Sequence, residues 1–111
     1  MKRVKTSELT GAALDWAVAQ CEGVSIAFDD EGAADGQWEM YSTNWSQGGP
    51  IIEREGLDIY YSSEQKSWAA AKWVDLPGGG QLQHKQVGNH TALIAAMRCF
   101  VTSKLGNEVD V

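Results

Sequence analysis

The segment 41–56 gathers the residues of this chain best suited to hold a small charged ligand: Trp45, Gln47, Gly48, Gly49 and Arg54. Glycine lets a backbone approach a ligand closely, exposed N–H groups attract an anion, and an indole offers a flat stacking surface. A nucleotide would use all three, with the Gly48-Gly49 backbone receiving an anionic group. The same composition also describes a tight turn joining two elements, with the tryptophan tucked into a core. Arg54 is the candidate charged contact, because a guanidinium grips a phosphate or carboxylate with two parallel hydrogen bonds. Glu53 and Glu55 flank it, and on a strand both would share one face opposite the arginine. Paired carboxylates can do acid–base work only with shifted pKa values and a cleft, so a solvated surface run is the plainer reading. The pattern leaves open whether 50–55 is strand or helix.

Five tryptophans in 111 residues is a high count, and large aromatics dominate both cores and binding sites. Trp45, Trp68 and Trp73 fall on expected strands or at their ends. Trp68 and Trp73 have opposite parity, so one of them faces away from the core and is available to a ligand or another subunit. Asp15 and Trp16, adjacent on the first expected helix, form a second candidate pair.

Several chemistries lack support. Gly78-Gly79-Gly80 is followed by Gln81 and Gly48-Gly49 by Pro50, without the lysine and hydroxyl of a phosphate loop. No serine sits in a Gly-x-Ser-x-Gly elbow, and neither Cys21 nor Cys99 has a histidine close in sequence. His84 and His90 lie six apart with no cysteine within four positions, which is poor metal-ligand spacing. Both cysteines sit in apolar helical patterns and read as buried thiols. The expectation is therefore a non-enzymatic protein with no catalytic residues, metal or cofactor, beside an alternative in which a nucleotide signal is hydrolysed, with Glu53 or Glu55 as the carboxylates to test first.

Two helices must position these groups. Thr10 is a plausible N-cap for a helix over 11–21, ended by Gly23, with Leu14, Ala17, Val18 and Cys21 as an apolar stripe that should cover a sheet. A second helix runs from about 91 to 104, with Leu93, Ile94, Met97, Phe100, Val101 and Leu105 on one face and Gly106 after it. Arg98 and Lys104 lie in its C-terminal half, where positive charge suits the helix dipole. Runs rich in aromatic and β-branched residues at 24–28, 38–41, 57–61 and 68–74 read as strands. The 3–5 and 108–111 termini can each add an edge strand, and the glycines at 78–80 read as a hairpin tip. Together these give a single α+β domain: a small antiparallel sheet packed against an N-terminal and a C-terminal helix.

Composition sets the wider context. Fifteen acidic against nine basic residues give a formal charge of -6, without the clustered Lys and Arg that phosphate neutralisation along a nucleic-acid polymer needs. Acidic clusters at Asp29, Asp30, Glu31 and Asp35 and at Glu53, Glu55 and Asp58 admit a DNA-mimic reading beside that of solvated loops. A basic start followed by Thr6, Ser7, Glu8 and Thr10 lacks the apolar run of an export signal, and no stretch approaches roughly 18 apolar residues. A cytoplasmic protein without membrane contact is expected.

Three blocks carry a resemblance: Lys5-Thr6-Ser7-Glu8-Leu9-Thr10-Gly11 with Ala13-Leu14-Asp15-Trp16-Ala17-Val18; the segment 41–56; and Leu93-Ile94-Ala95-Ala96-Met97-Arg98-Cys99-Phe100 with Lys104-Leu105-Gly106. On these the chain resembles the NinX-like family of small bacteriophage proteins, named for a product of the phage nin region. It departs from the family before the second helix, where Gly88-Asn89-His90-Thr91-Ala92 stands in place of a Gly-Pro-Thr-Pro approach. The resemblance implies an accessory phage or prophage product acting in the bacterial host. The resulting expectation is a binding module that sequesters a small nucleotide-like ligand, as a homo-oligomer, in a counter-defence role. Its alternative is an inhibitor or DNA mimic that binds a host or phage protein.

Overall fold

The computed structural model describes residues 3–23, 40–89 and 91–110. The expected strand at 24–28, most of that at 38–41, the acidic cluster from Asp29 to Asp35 and His90 lie outside them. In chain order the elements are β1 (Arg3–Lys5), one 3-10 turn (Thr6–Glu8), α1 (Gly11–Cys21), α2 (Trp45–Glu55), β2 (Asp58–Ser62), β3 (Ser67–Asp75), β4 (Gln81–Asn89), α3 (Ala92–Leu105) and β5 (Glu108–Asp110). The architecture is α+β, with helices on one face of an antiparallel sheet of order β2-β3-β4 and a separate β1-β5 ribbon.

α3 organises the core. The Thr91 hydroxyl accepts from the Ile94 N–H at 3.0 Å, capping its first turn, and Gly106 (φ 90°) ends it. Leu93, Ala95, Ala96, Met97, Cys99, Phe100 and Val101 are all buried, which is more than one face of a helix. The reason is that α3 is covered on both sides, by β2, β3 and β4 on one and by α1 and α2 on the other. The α1 stripe of Leu14, Ala17 and Val18 is fully buried, but against α3 rather than against the sheet. Burying each large core side chain stabilises the fold by roughly 1.5–3 kcal/mol relative to exposure.

Register fixes which sheet residues meet α3. Ile59 pairs with Ala70 and Ala70 with Gln86, on the helix side. Gln86 is buried there, its Nε2 donating to Thr102 Oγ1 of α3 at 2.9 Å. Tyr60 pairs with Ala69 and Ala71 with Lys85 on the opposite face, where the Lys85 ammonium stands 5.5 Å from the Tyr60 ring. Trp73 also faces outward and is 52% exposed, whereas Trp68 is half-buried against the core, as their opposite parity requires. The β3-β4 turn is closed by Leu76 N–H to the Gly80 carbonyl at 3.0 Å, and Gly78, Gly79 and Gly80 all take positive φ, which only glycine adopts without strain. β4 itself is a strand that its polar sequence did not announce. The termini pair with each other, Val4 opposite Val109, and do not extend the main sheet.

Candidate functional site

The 41–56 segment folds into α2, which changes what its residues can do. The Asn44 side chain accepts from the Ser46 N–H at 2.9 Å, capping the helix, and Gly56 (φ 65°, ψ 41°) ends it in the left-handed conformation. Gly48 is therefore not part of an open glycine loop: its N–H donates to the Asn44 carbonyl at 2.9 Å. It is a close-approach point, since a Cβ there would lie 2.4 Å from the Tyr41 carbonyl oxygen and 2.6 Å from Leu93 Cδ1. Gly49 sits within the same helix and meets only Trp45 Cε3, at 4.0 Å. Pro50 lies inside the helix, where its ring removes one backbone donor and costs helix stability. Gln47 turns back on the chain, its Oε1 accepting from the Met40 N–H. Trp45, at the first helical position, is 56% exposed.

Asp15 is 8% exposed, and its Oδ1 accepts from the Ser42 N–H at 2.8 Å, tying the chain before α2 to α1. Among the described residues the Ser42 hydroxyl beside it is buried without a hydrogen-bond partner. The Asp15 bond is structural, and Asp15 is not among the residues that line the cleft beside Trp16.

Arg54 is already engaged. Its Nη1 and Nη2 donate to the two Glu22 oxygens at 2.9 and 2.8 Å, and its Nε donates to Glu55 at 2.9 Å. Because α2 is a helix, Glu53 and Glu55 do not form the same-face strand pair. Glu55 turns inward to Lys72 Nζ at 2.5 Å and Lys104 Nζ at 3.6 Å. Lys72 before all, then Arg54, holds the Glu55 carboxyl at about 2, while Glu22 and Glu55 raise the Arg54 pKa. The network sits over Phe100, with the Arg54 guanidinium 5.7 Å from the ring centroid, and it joins the ends of α1 and α2 to β3 and α3. Lys104 thus does more than face a helix dipole. Trp68 lies four residues before Lys72 on β3, roughly 13 Å away along the strand, so Arg54 and Trp68 do not converge.

What the structure brings together instead is a cleft of about 360 Å³ lined by Arg3, Trp16, Gln20, Leu105, Glu108 and Val109. α1 presents Trp16 and Gln20 one turn apart, and the β1-β5 ribbon brings Arg3 and Glu108, whose side chains meet at 3.4 Å. Arg3 and Gln20 were not legible as site residues, because no short-range pattern links a chain terminus to a helix face. A second hollow, about 300 Å³, lies across the ribbon between Lys5, Ser7, Gln86, Asn107 and Glu108. Trp68 keeps different company, its carbonyl accepting from Asn89, which in turn accepts from Arg98. Among the described residues, no group of three or more His, Cys, Asp or Glu is placed to hold a metal ion, and no helix is long and apolar enough to cross a membrane.

No curated protein matches the chain. The family described as "Bacteriophage P22, NinX" matches residues 5–104, which takes in α1, α2, all but the last residue of α3, and every strand except part of β1 and all of β5. The chain belongs to that bacteriophage P22 NinX family.

Proposed function

We propose that this phage-family protein is an accessory binding module that captures a small nucleotide-like ligand without turning it over, in a counter-defence role within the host cytoplasm. The observation that carries the reading is the Trp16 cleft. Its volume falls within the roughly 300–1,000 Å³ usual for small-molecule sites, and it combines an indole, an amide and a guanidinium. The indole suits a base face and the amide a base edge, while the Arg3 guanidinium, paired with Glu108 on the cleft wall, would have to exchange that partner for a phosphate. Turnover by Glu55 is disfavoured, because its carboxyl lies outside the cleft and is held ionised between cations. A homo-oligomer belongs to the same reading, because an open cleft of this size is completed more readily between copies than within one.

In the second acidic cluster of the DNA-mimic alternative, Glu55 is paired with Arg54, Lys72 and Lys104, while Glu53 and Asp58 stay exposed. A protein-partner reading retains support from the exposed Tyr60, Trp73 and Val87 on the outer sheet face. The test is a thermal-shift panel of mono-, di- and cyclic nucleotides on the intact protein and on Trp16→Ala. A base stack on an aromatic contributes about 1–3 kcal/mol, so Trp16→Ala should weaken binding about 5- to 150-fold. A panel with no stabilising nucleotide contradicts the reading and turns attention to a protein partner.

A further inference from the structure

Arg98 carries a charge that the fold does not neutralise. Its Nε donates to the Leu9 carbonyl at 2.7 Å and its Nη1 to Asn89 Oδ1 at 2.5 Å, and both acceptors are neutral. Asn89 is 1% exposed and is fixed by its own Nδ2–H bond to the Trp68 carbonyl at 3.4 Å. Among the described residues no carboxylate lies within ion-pair distance of this guanidinium, in contrast to Arg54, which has two. Burial also disfavours its charged form, pushing its pKa below the usual arginine value.

A guanidinium has five N–H donors, and two are used here. Among the described residues three remain without a protein acceptor, on a side chain that is only half-buried. A partly desolvated, pre-positioned fork of this kind attracts an oxyanion more strongly than a solvated surface arginine does, because water screens it less and its orientation is already fixed. Aromatic surface stands at the same end of the sheet. Trp68 is opposite Asn89 in register, and the exposed Tyr61 ring packs edge-on to it at 5.2 Å.

We propose that Arg98, oriented by Asn89 and Leu9, is an oxyanion-binding site for the phosphate or carboxylate of a small ligand, with Trp68 and Tyr61 forming the wall beside its organic part. None of its residues lines the Trp16 cleft, so the site stands or falls independently of that cleft.

The test is a titration of the isotope-labelled protein with inorganic phosphate, and separately with acetate, read at the Arg98 Nε–H resonance. The intact protein should show a saturable shift, and the anion with the lower half-saturation identifies phosphate or carboxylate as the preferred source. Arg98→Lys, which keeps the charge and loses the fork, should weaken binding at least tenfold. Asn89→Asp is the more telling variant, because it places a carboxylate beside the guanidinium with almost no change of shape. It should abolish the response to external anions, with circular dichroism confirming that the variant remains folded. Trp16→Ala should leave the titration unchanged. Absence of a saturable shift with either anion, or a shift that survives Asn89→Asp intact, would overturn the proposal and leave Arg98 a purely structural pin.

Discussion

Adjacent glycines in α2 should respond to the same substitution by very different amounts. Alanine at either position relieves the helix of a flexible residue and is worth about 1 kcal/mol of intrinsic helix stability. At Gly48 the added methyl would lie 2.4 Å from the Tyr41 carbonyl oxygen and 2.6 Å from Leu93 Cδ1. Overpacking of this kind costs about 1–3 kcal/mol, and a backbone atom as the nearest neighbour puts Gly48→Ala at the top of that range. The net effect is a loss of about 2 kcal/mol. At Gly49 the nearest atom outside the chain neighbours is Trp45 Cε3 at 4.0 Å, an ordinary contact, but a Cβ before Pro50 meets the proline ring in helical backbone, which offsets the helix gain. At about 4 °C per kcal/mol, Gly48→Ala should melt about 8 °C lower and Gly49→Ala close to the intact protein, measured by circular dichroism at one protein concentration. Equal melting temperatures for the two variants would refute the reasoning, since they would mean that α2 does not press on the 40–44 turn and on α3.

Other expectations follow from the charge network and the core. The Glu55 carboxyl is lowered to about 2 in the folded protein by Lys72 and Arg54. A depressed carboxyl contributes stability that is present above its unfolded value, about 4.3, and is lost as pH falls toward about 2. Denaturant midpoints of the intact protein should therefore drop across that window, and those of Glu55→Gln should be flatter. Burial pushes both Cys21 and Cys99 up to about 11, so neither thiol should react with an aromatic disulfide reagent at pH 8 until denaturant is added. Thr102→Val removes the acceptor of the buried Gln86 amide and should cost about 1–3 kcal/mol for the unpaired donor, read from the urea midpoint at unchanged slope.

The parts of the fold legible in the sequence were those governed by local rules. α1 and α3 announced themselves through apolar spacing, and α3 through Thr91 and Gly106 at its ends. β2 and β3 followed from aromatic and β-branched runs to within a residue or so at each end. α2 stayed undecided because Gly48, Gly49 and Pro50 are poor helix residues locally, and the helix exists because Gly48 lets it press against Tyr41 and Leu93. β4 was missed because Gln81, Gln83, Lys85 and Gln86 give no strand composition, and its pairing is imposed by the glycine hairpin and by β3.

The site was less legible than the fold, for a related reason. Arg54 looked free for a ligand, but Glu22, thirty-two residues away in sequence, occupies its fork. Trp16 was named as a candidate, yet the residues that make it part of a cleft come from β1, β5 and the end of α3. Arg98 read as a helix-dipole charge, because Leu9 and Asn89 reach it only through the tertiary fold. The candidate sites depend on contacts between residues distant in sequence, and periodicity does not report those.

The most direct test of ligand capture is mass spectrometry of the filtrate from heat-denatured protein purified out of phage-infected host cells, compared with the same preparation of Trp16→Ala. The account predicts a nucleotide-like molecule released chemically unchanged from the intact protein and depleted in the variant. A filtrate without such a molecule, from protein that no nucleotide stabilises, would contradict it.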